Sequence, residues 1–228
     1  MYYTEDTPEG TRVSILAQNP KRLEEAREAV HLTTSEEINV FNIDVRDTKA
    51  MSQAVEETGP IDVLVCNQGV LLPLELEKQE LKEIKFMVDV NMMGTFHLIK
   101  AALPAMKWRT EETGLPASIA LMSSQAGQVS MVKQHTLQAN FLFEALVRRC
   151  STRRARERRP ELTNIIAGSS KGMEADDVAK ASKNGIKSGR FIIPCNFEGT
   201  IIAIATCGLS PQSSFITTFI EVAIANFL

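Results

Sequence analysis

The sequence predicts an α/β protein built on a doubly wound parallel sheet, and three observations predict it. Short apolar runs alternate with helix-length amphipathic segments between Arg12 and Ser123. The run Ile61–Cys66 is nearly all apolar after Asp62, as a strand covered on both faces requires. Polar residues stand at or just past three run ends: Asp44, Asn67-Gln68-Gly69 and Ser123-Ser124. Ligands of open parallel sheets bind outside the carboxyl ends of their strands.

Each element has its own local reason. Arg12–Ala17 reads as a short buried strand. Asn19 caps the following helix, Pro20 suits its first position, and the helix runs to about Val30. Asn39–Val45 is a second strand, rich in β-branched and aromatic residues. Asp47 caps a second helix that ends before Gly59-Pro60. Ile61–Cys66 is the third strand. Lys78–Lys107 carries apolar residues at helical spacing, with a kink or stop expected at Pro104. Ser118–Ser123 is a fourth strand and Arg190–Cys195 a fifth.

The length of 228 residues fits one domain. Charged residues make up 23%, with 25 basic against 28 acidic, and that near-balance argues against a dedicated nucleic-acid binder. The four cysteines and three histidines are too scattered for a metal site or a disulfide framework, so no metal is expected and the cysteines are expected to be reduced. No apolar run is long enough to span a bilayer, and the polar start carries no signal peptide. Taken singly, Asp44 starts a turn, Asn67 and Gly69 shape a loop, and Ser124 caps a helix. Their shared position at strand ends points to a ligand site.

These residues resemble the short-chain dehydrogenase/reductase family, whose Rossmann-like fold binds a nicotinamide dinucleotide. Ile43-Asp44-Val45 is similar to the strand end whose carboxylate meets the adenine amino group. Cys66-Asn67-Gln68-Gly69 is similar to the family's Asn-Asn-Ala-Gly, with Gln68 replacing Ala. Val90-Asn91-Met92-Met93-Gly94 resembles its Asn-x-x-Gly helix motif, and Ser123-Ser124-Gln125-Ala126-Gly127 the segment holding its catalytic Ser. More narrowly, Gln68-Gly69-Val70, Ser124–Gln128, Cys195–Gly199 and Gly208–Phe215 resemble the 3-dehydrosphinganine reductases. That resemblance implies NADPH, a long-chain 3-ketosphingoid base as substrate, sphingolipid biosynthesis, and a place on the cytosolic face of the endoplasmic reticulum membrane. It implies catalytic roles for Ser124 and Asn91. It implies cofactor contacts at Arg22, Asp44, Val45, Asn67 and Gly69.

The same resemblance exposes gaps. In the family a Tyr protonates the ketone oxygen and a Lys four residues later lowers its pKa, while the Ser steadies the developing charge. The only tyrosines here are Tyr2 and Tyr3, and no Tyr-x-x-x-Lys exists. By the family's spacing the Tyr falls within Val132–Leu137, where Lys133 and His135 are the ionisable groups. Thr11-Arg12-Val13 already matches the family's second strand. The first strand and its glycine-rich, phosphate-cradling loop are therefore absent from the sequence. In the family that strand lies between the second and the fourth. Gln18 stands where the family usually places an Arg facing the 2′-phosphate of NADPH; Arg22 matches a second basic position.

Residues 129–157 depart from the family altogether. Arg148, Arg149, Arg153, Arg154, Arg156, Arg158 and Arg159 crowd together. A nucleic-acid or nuclear-import patch and a solvated helix face are two readings of that crowding. A third explains more. His135–Phe141 can be encoded CAT ACT CTG CAA GCA AAT TTT. With a preceding G the shifted frame reads Ala-Tyr-Ser-Ala-Ser-Lys-Phe, which contains the missing pair. A frameshifted or mis-spliced gene is thus expected, and with it a catalytically inactive remnant as the alternative function.

The expected domain is a single, incomplete one over 1–228, with a hydrophobic region over 200–228. Thr200–Cys207 and Phe215–Leu228 are apolar but short. A packed strand with a core helix is one reading, and a membrane-surface helix or shortened anchor the other. A homo-oligomer is among the expected assemblies.

Overall fold

The computed structural model describes residues 12–34, 38–72, 74, 78–123 and 173–205. They fall into two compact units, one holding 12–123 and the other 173–205.

The first unit follows the predicted alternation. Its elements are β1 (Ser14–Ala17), α1 (Pro20–Thr34), β2 (Asn39–Asn42), α2 (Thr48–Thr58), β3 (Val63–Cys66), α3 (Leu81–Val88), α4 (Gly94–Thr113) and β4 (Ser118–Leu121). One π-turn, Asp89–Met93, joins α3 to α4. All pairing is parallel. In one ladder Ser14 faces Asn39 and Ala17 faces Asn42; in the other Val63 faces Ser118 and Cys66 faces Leu121. β1 and β3 are not hydrogen-bonded to each other, so the described strands form two two-stranded sheets.

Helix spacing explains the core. α1 buries Leu23, Ala26 and Val30, three residues on one stripe. α2 presents Met51 and Val55, and α4 presents Leu98, Ala102 and Met106, to a common cluster with Ile61 and Cys66. Leu16, Ile43, Val45 and Leu64 pack against that cluster from the strands and their ends. Met51 is wholly buried, and burial of such a side chain stabilises by roughly 1.5–3 kcal/mol. By contrast Val63, Val65, Ile119 and Leu121 of the β3–β4 sheet remain exposed.

The Asn19 and Asp47 caps fall where the sequence places them. The Asn19 side chain accepts from Arg22 N–H at 3.1 Å, and Pro20 opens α1. Asp47 accepts from Lys49 N–H and Ala50 N–H at 3.1 and 3.0 Å. Glu80 and Glu83 form a capping box at the start of α3.

Three expectations in this unit need correction. Helix α1 runs on to Thr34, past the stop near Val30. β2 ends at Asn42 rather than Val45, because the Asp44 carboxylate takes the Arg46 N–H at 2.9 Å and Asp47 N–H bonds Asp44 O at 2.9 Å, turning the chain. Pro104 neither ends nor starts a helix; α4 runs through it to Thr113. Its ring lies on the exposed side with Leu103, where water can serve the carbonyl that loses its donor, while Ala102 and Met106 hold the buried side. The real interruption of the long helix is the π-turn, where Gly94 N–H reaches back to Asp89 O.

The second unit contains α5 (Ala175–Lys187) and α6 (Phe197–Ala205). Arg190–Cys195, expected as a strand, is irregular. Arg190 N–H turns back to Gly185 O at 3.0 Å, Pro194 has no N–H to give a ladder, and Ile193 packs directly on Gly185, where any Cβ would collide with it. Thr200–Ala205 is helical, which removes the packed-strand reading for that stretch. Asn196 caps α6 by accepting from Gly199 N–H at 2.7 Å. Among the described residues no helix is long and apolar enough to cross a membrane.

Candidate active site

The carboxyl ends of β1, β2 and β3 carry the residues that matter. Asn42 donates to Ala17 O at 3.2 Å and Gln18 O at 2.9 Å, extending the β1–β2 ladder past its last backbone pair. Gln18 Nε2 in turn donates to Asp44 Oδ2 at 2.9 Å. The Asp44 carboxylate also receives Arg46, through Nε on Oδ1 at 2.9 Å and Nη2 on Oδ2 at 2.5 Å. The Arg46 hydrogen bonds hold the Asp44 carboxyl below the usual carboxylate range. The Arg46 guanidinium carbon lies 5.0 Å from the centre of the Phe86 ring, a cation–π contact that fixes it from α3.

Val45 is anchored on two sides. Its carbonyl oxygen lies 3.2 Å from His97 Nδ1. Its side chain lies against Gly94, where a Cβ would sit 2.6 Å from Val45 Cγ2. Only a residue without a side chain lets α4 start so close to the end of β2.

The loop after β3 is tied to the π-turn. Asn91 is buried; its Oδ1 accepts from Val70 N–H at 2.7 Å and its Nδ2 donates to Val70 O at 2.9 Å. Gln68 Nε2 donates to the Thr95 hydroxyl, and that hydroxyl donates to Asn91 O at 2.7 Å. The widened turn aims Asn91 at the loop and leaves its carbonyl to Thr95.

Of the predicted site residues, Asp44 and Val45 thus follow β2, Asn67 and Gly69 follow β3, and Asn91 lies on the π-turn, which meets both segments through Gly94 against Val45 and Asn91 on Val70. Arg22 is exposed on the first turn of α1, its N–H used by the Asn19 cap. Ser124 lies outside the described residues, as do 129–157 and the tail beyond Ala205. Among the described residues no three His, Cys, Asp or Glu side chains gather as metal ligands. Cys66 is buried, and burial pushes its thiol up to about 11, so it is no nucleophile at neutral pH.

Sequence reasoning missed Arg46, Phe86, Thr95 and His97. Arg46 stands two residues from Asp44, so its pairing was open to a local reading. The other three act across 27 to 52 residues, or through a ring contact, and left no local signal.

A parallel α/β sheet with its polar residues gathered at strand ends defines the class: a dinucleotide-type α/β fold. The chain belongs to the short chain dehydrogenase family, which it matches over residues 6–139. It is similar to two 3-dehydrosphinganine reductases of Arabidopsis thaliana, each 43% identical over 96% of this chain and 73% of the relative. It is also similar to a 3-dehydrosphinganine reductase of Danio rerio, 22% identical over 90% of this chain and 70% of that protein. A solved structure named for a short-chain dehydrogenase of Novosphingobium aromaticivorans superposes with a TM-score of 0.64 at 16% identity, covering 96% of this chain and 86% of that one, which shows the fold.

Proposed function

We propose that this chain descends from, and keeps the binding site of, a reductase that converts the 3-ketone of a long-chain sphingoid base to the alcohol with NADPH. The observation that carries this reading is the 43% identity to two 3-dehydrosphinganine reductases across nearly the whole chain. The reading places the protein in sphingolipid biosynthesis, at the cytosolic face of the endoplasmic reticulum membrane, with 200–228 meeting the membrane surface. A homo-oligomer is the assembly that goes with it.

The residues present fit the adenosine end of a dinucleotide. Asp44 is a carboxylate acceptor for an exocyclic amine, and Gln18 is a neutral amide beside it. Arg22 lies one helical turn on, in the first turn of α1. Asn67 and Gly69 shape the next strand end, and Asn91 holds Val70 in place beside them. NADPH, when bound, supplies the hydride. Ser124 is assigned the hydrogen bond that steadies charge on the ketone oxygen.

A second reading is favoured by one specific observation: the tyrosines are Tyr2 and Tyr3 alone, and no Tyr-x-x-x-Lys is present. Loss of a proton donor costs ~10²–10⁴-fold in rate. The polypeptide as written is therefore an inactive remnant of that reductase. Purified chain is incubated with NADPH and 3-dehydrosphinganine, and sphinganine is measured. No turnover above background is expected; steady sphinganine formation restores the first reading in full and overturns the second. Codons between His135 and Cys150 incompatible with the shifted frame would remove the genetic explanation while leaving the biochemical one standing.

A further inference from the structure

Helix α6 buries its small side and exposes its apolar one. Gly199 is buried, while Phe197 and Ile201, one turn apart on the same face, are 78% and 36% exposed. Phe191, on the irregular segment that leads into the helix, is 69% exposed. The contacts that shape this stretch are made without either ring. Arg190 N–H returns to Gly185 O at 3.0 Å, Ile193 seats on Gly185, and Asn196 caps α6 through Gly199 N–H at 2.7 Å. Two cations stand beside the rings: Lys187 and Arg190 are exposed, and among the described residues neither is drawn into an ion pair. Glu198 is the one acidic residue between 187 and 201.

We propose that 187–201 is a membrane-docking surface, on which Phe191, Phe197 and Ile201 enter the interfacial layer of a bilayer while Lys187 and Arg190 meet anionic headgroups. The inference rests on the reading above that 200–228 meets a membrane surface, and it names a contact upstream of that region. Aromatic rings with cations beside them suit the boundary between headgroups and acyl chains, where the rings leave water and the charges do not. The nine residues of α6 are too few to span a bilayer, so the helix lies on the surface. Area favours a bilayer over a folded partner. Three side chains offer on the order of a few hundred Å², short of the ~800 Å² that each side of a stable protein interface buries. A bilayer needs no matching surface and gains from each ring separately.

The test is co-sedimentation of the full chain with phosphatidylcholine vesicles and, separately, with mixed phosphatidylcholine and phosphatidylserine vesicles. Two variants alter exposed side chains only: Phe191→Ser with Phe197→Ser, and Lys187→Gln with Arg190→Gln. Circular dichroism spectra identical to that of the unaltered chain show that both are folded. The unaltered chain is expected to bind both vesicles, the phosphatidylserine ones more tightly. The Phe variant is expected to bind both about tenfold more weakly. The charge variant is expected to lose about tenfold on phosphatidylserine vesicles alone, and high salt to do the same to the unaltered chain. Binding by both variants equal to that of the unaltered chain would overturn this surface and leave 200–228 as the membrane contact. Failure of the unaltered chain to bind either vesicle would overturn the membrane reading and this proposal with it. A soluble oligomer that falls to monomer in the Phe variant would show that a second copy covers the rings, and would overturn the proposal.

Discussion

Asn91 closes both backbone groups of Val70 with one side chain, accepting from its N–H at 2.7 Å and donating to its carbonyl at 2.9 Å. The amide stands in for a strand neighbour, satisfying a loop that has left its ladder. The π-turn makes this reach available, and Gln68 and Thr95 brace the turn from the other side.

Asn91→Ala is expected to destabilise the chain by about 1–3 kcal/mol, because two partly buried backbone groups of Val70 lose their partner. Asn91→Asp is expected to fare little better, since an ionised carboxylate has no hydrogen to give the Val70 carbonyl. Urea unfolding of the two variants beside the unaltered chain checks this; wild-type stability in both would refute the clamp.

Gly94→Ala is expected to cost about 1–3 kcal/mol by overpacking, because the new Cβ would fall 2.6 Å from Val45 Cγ2. Adding Val45→Ala is expected to return part of that loss by removing the colliding methyl groups. A double-mutant cycle that shows strictly additive effects would contradict the contact.

The Asp44–Arg46 pair carries a pH signature. The Asp44 pKa is lowered in the folded chain by its hydrogen bonds to Arg46, so the pair's contribution is fully present above the ordinary value of 3.8. It fades as pH falls through the lowered folded value. Asp44→Asn is expected to flatten the acid limb of the stability curve below that ordinary value and leave the slope unchanged near neutrality. An unchanged acid limb would rule the pair out.

Cys66 is expected to resist alkylation at neutral and mildly alkaline pH, because burial raises its thiol to about 11. Iodoacetamide labelling of the folded chain, mapped by peptide mass, checks it. Rapid modification of Cys66 without unfolding would show that it is not buried as described.

Much of the architecture could be read from residue order alone. Asn19 and Asp47 are capping residues at the right places, and Leu23, Ala26 and Val30 recur on one helical stripe. Apolar runs at β-strand length placed all four strands of the first unit, with boundaries off by two or three residues. These features are local: they depend on neighbours within a turn or a strand, and the covalent order of the chain carries them. The strand-end positions of Asp44 and Asn67, and the helical placement of Asn91, were legible for the same reason.

What local order could not supply is whatever depends on segments far apart in the chain. Pro104 inside α4, the π-turn before Gly94, and the irregular path of Arg190–Cys195 all follow from which surface is buried and which is wet. Asp44 reads as a bare acceptor on paper; folding gives it Gln18 from another strand and sets Phe86 of α3 beneath its Arg46 partner. Hydrogen bonds and packing add their free energy only once the chain has brought the partners together. The family is therefore written in the motifs. The charge state and freedom of each site residue belong to the folded neighbourhood.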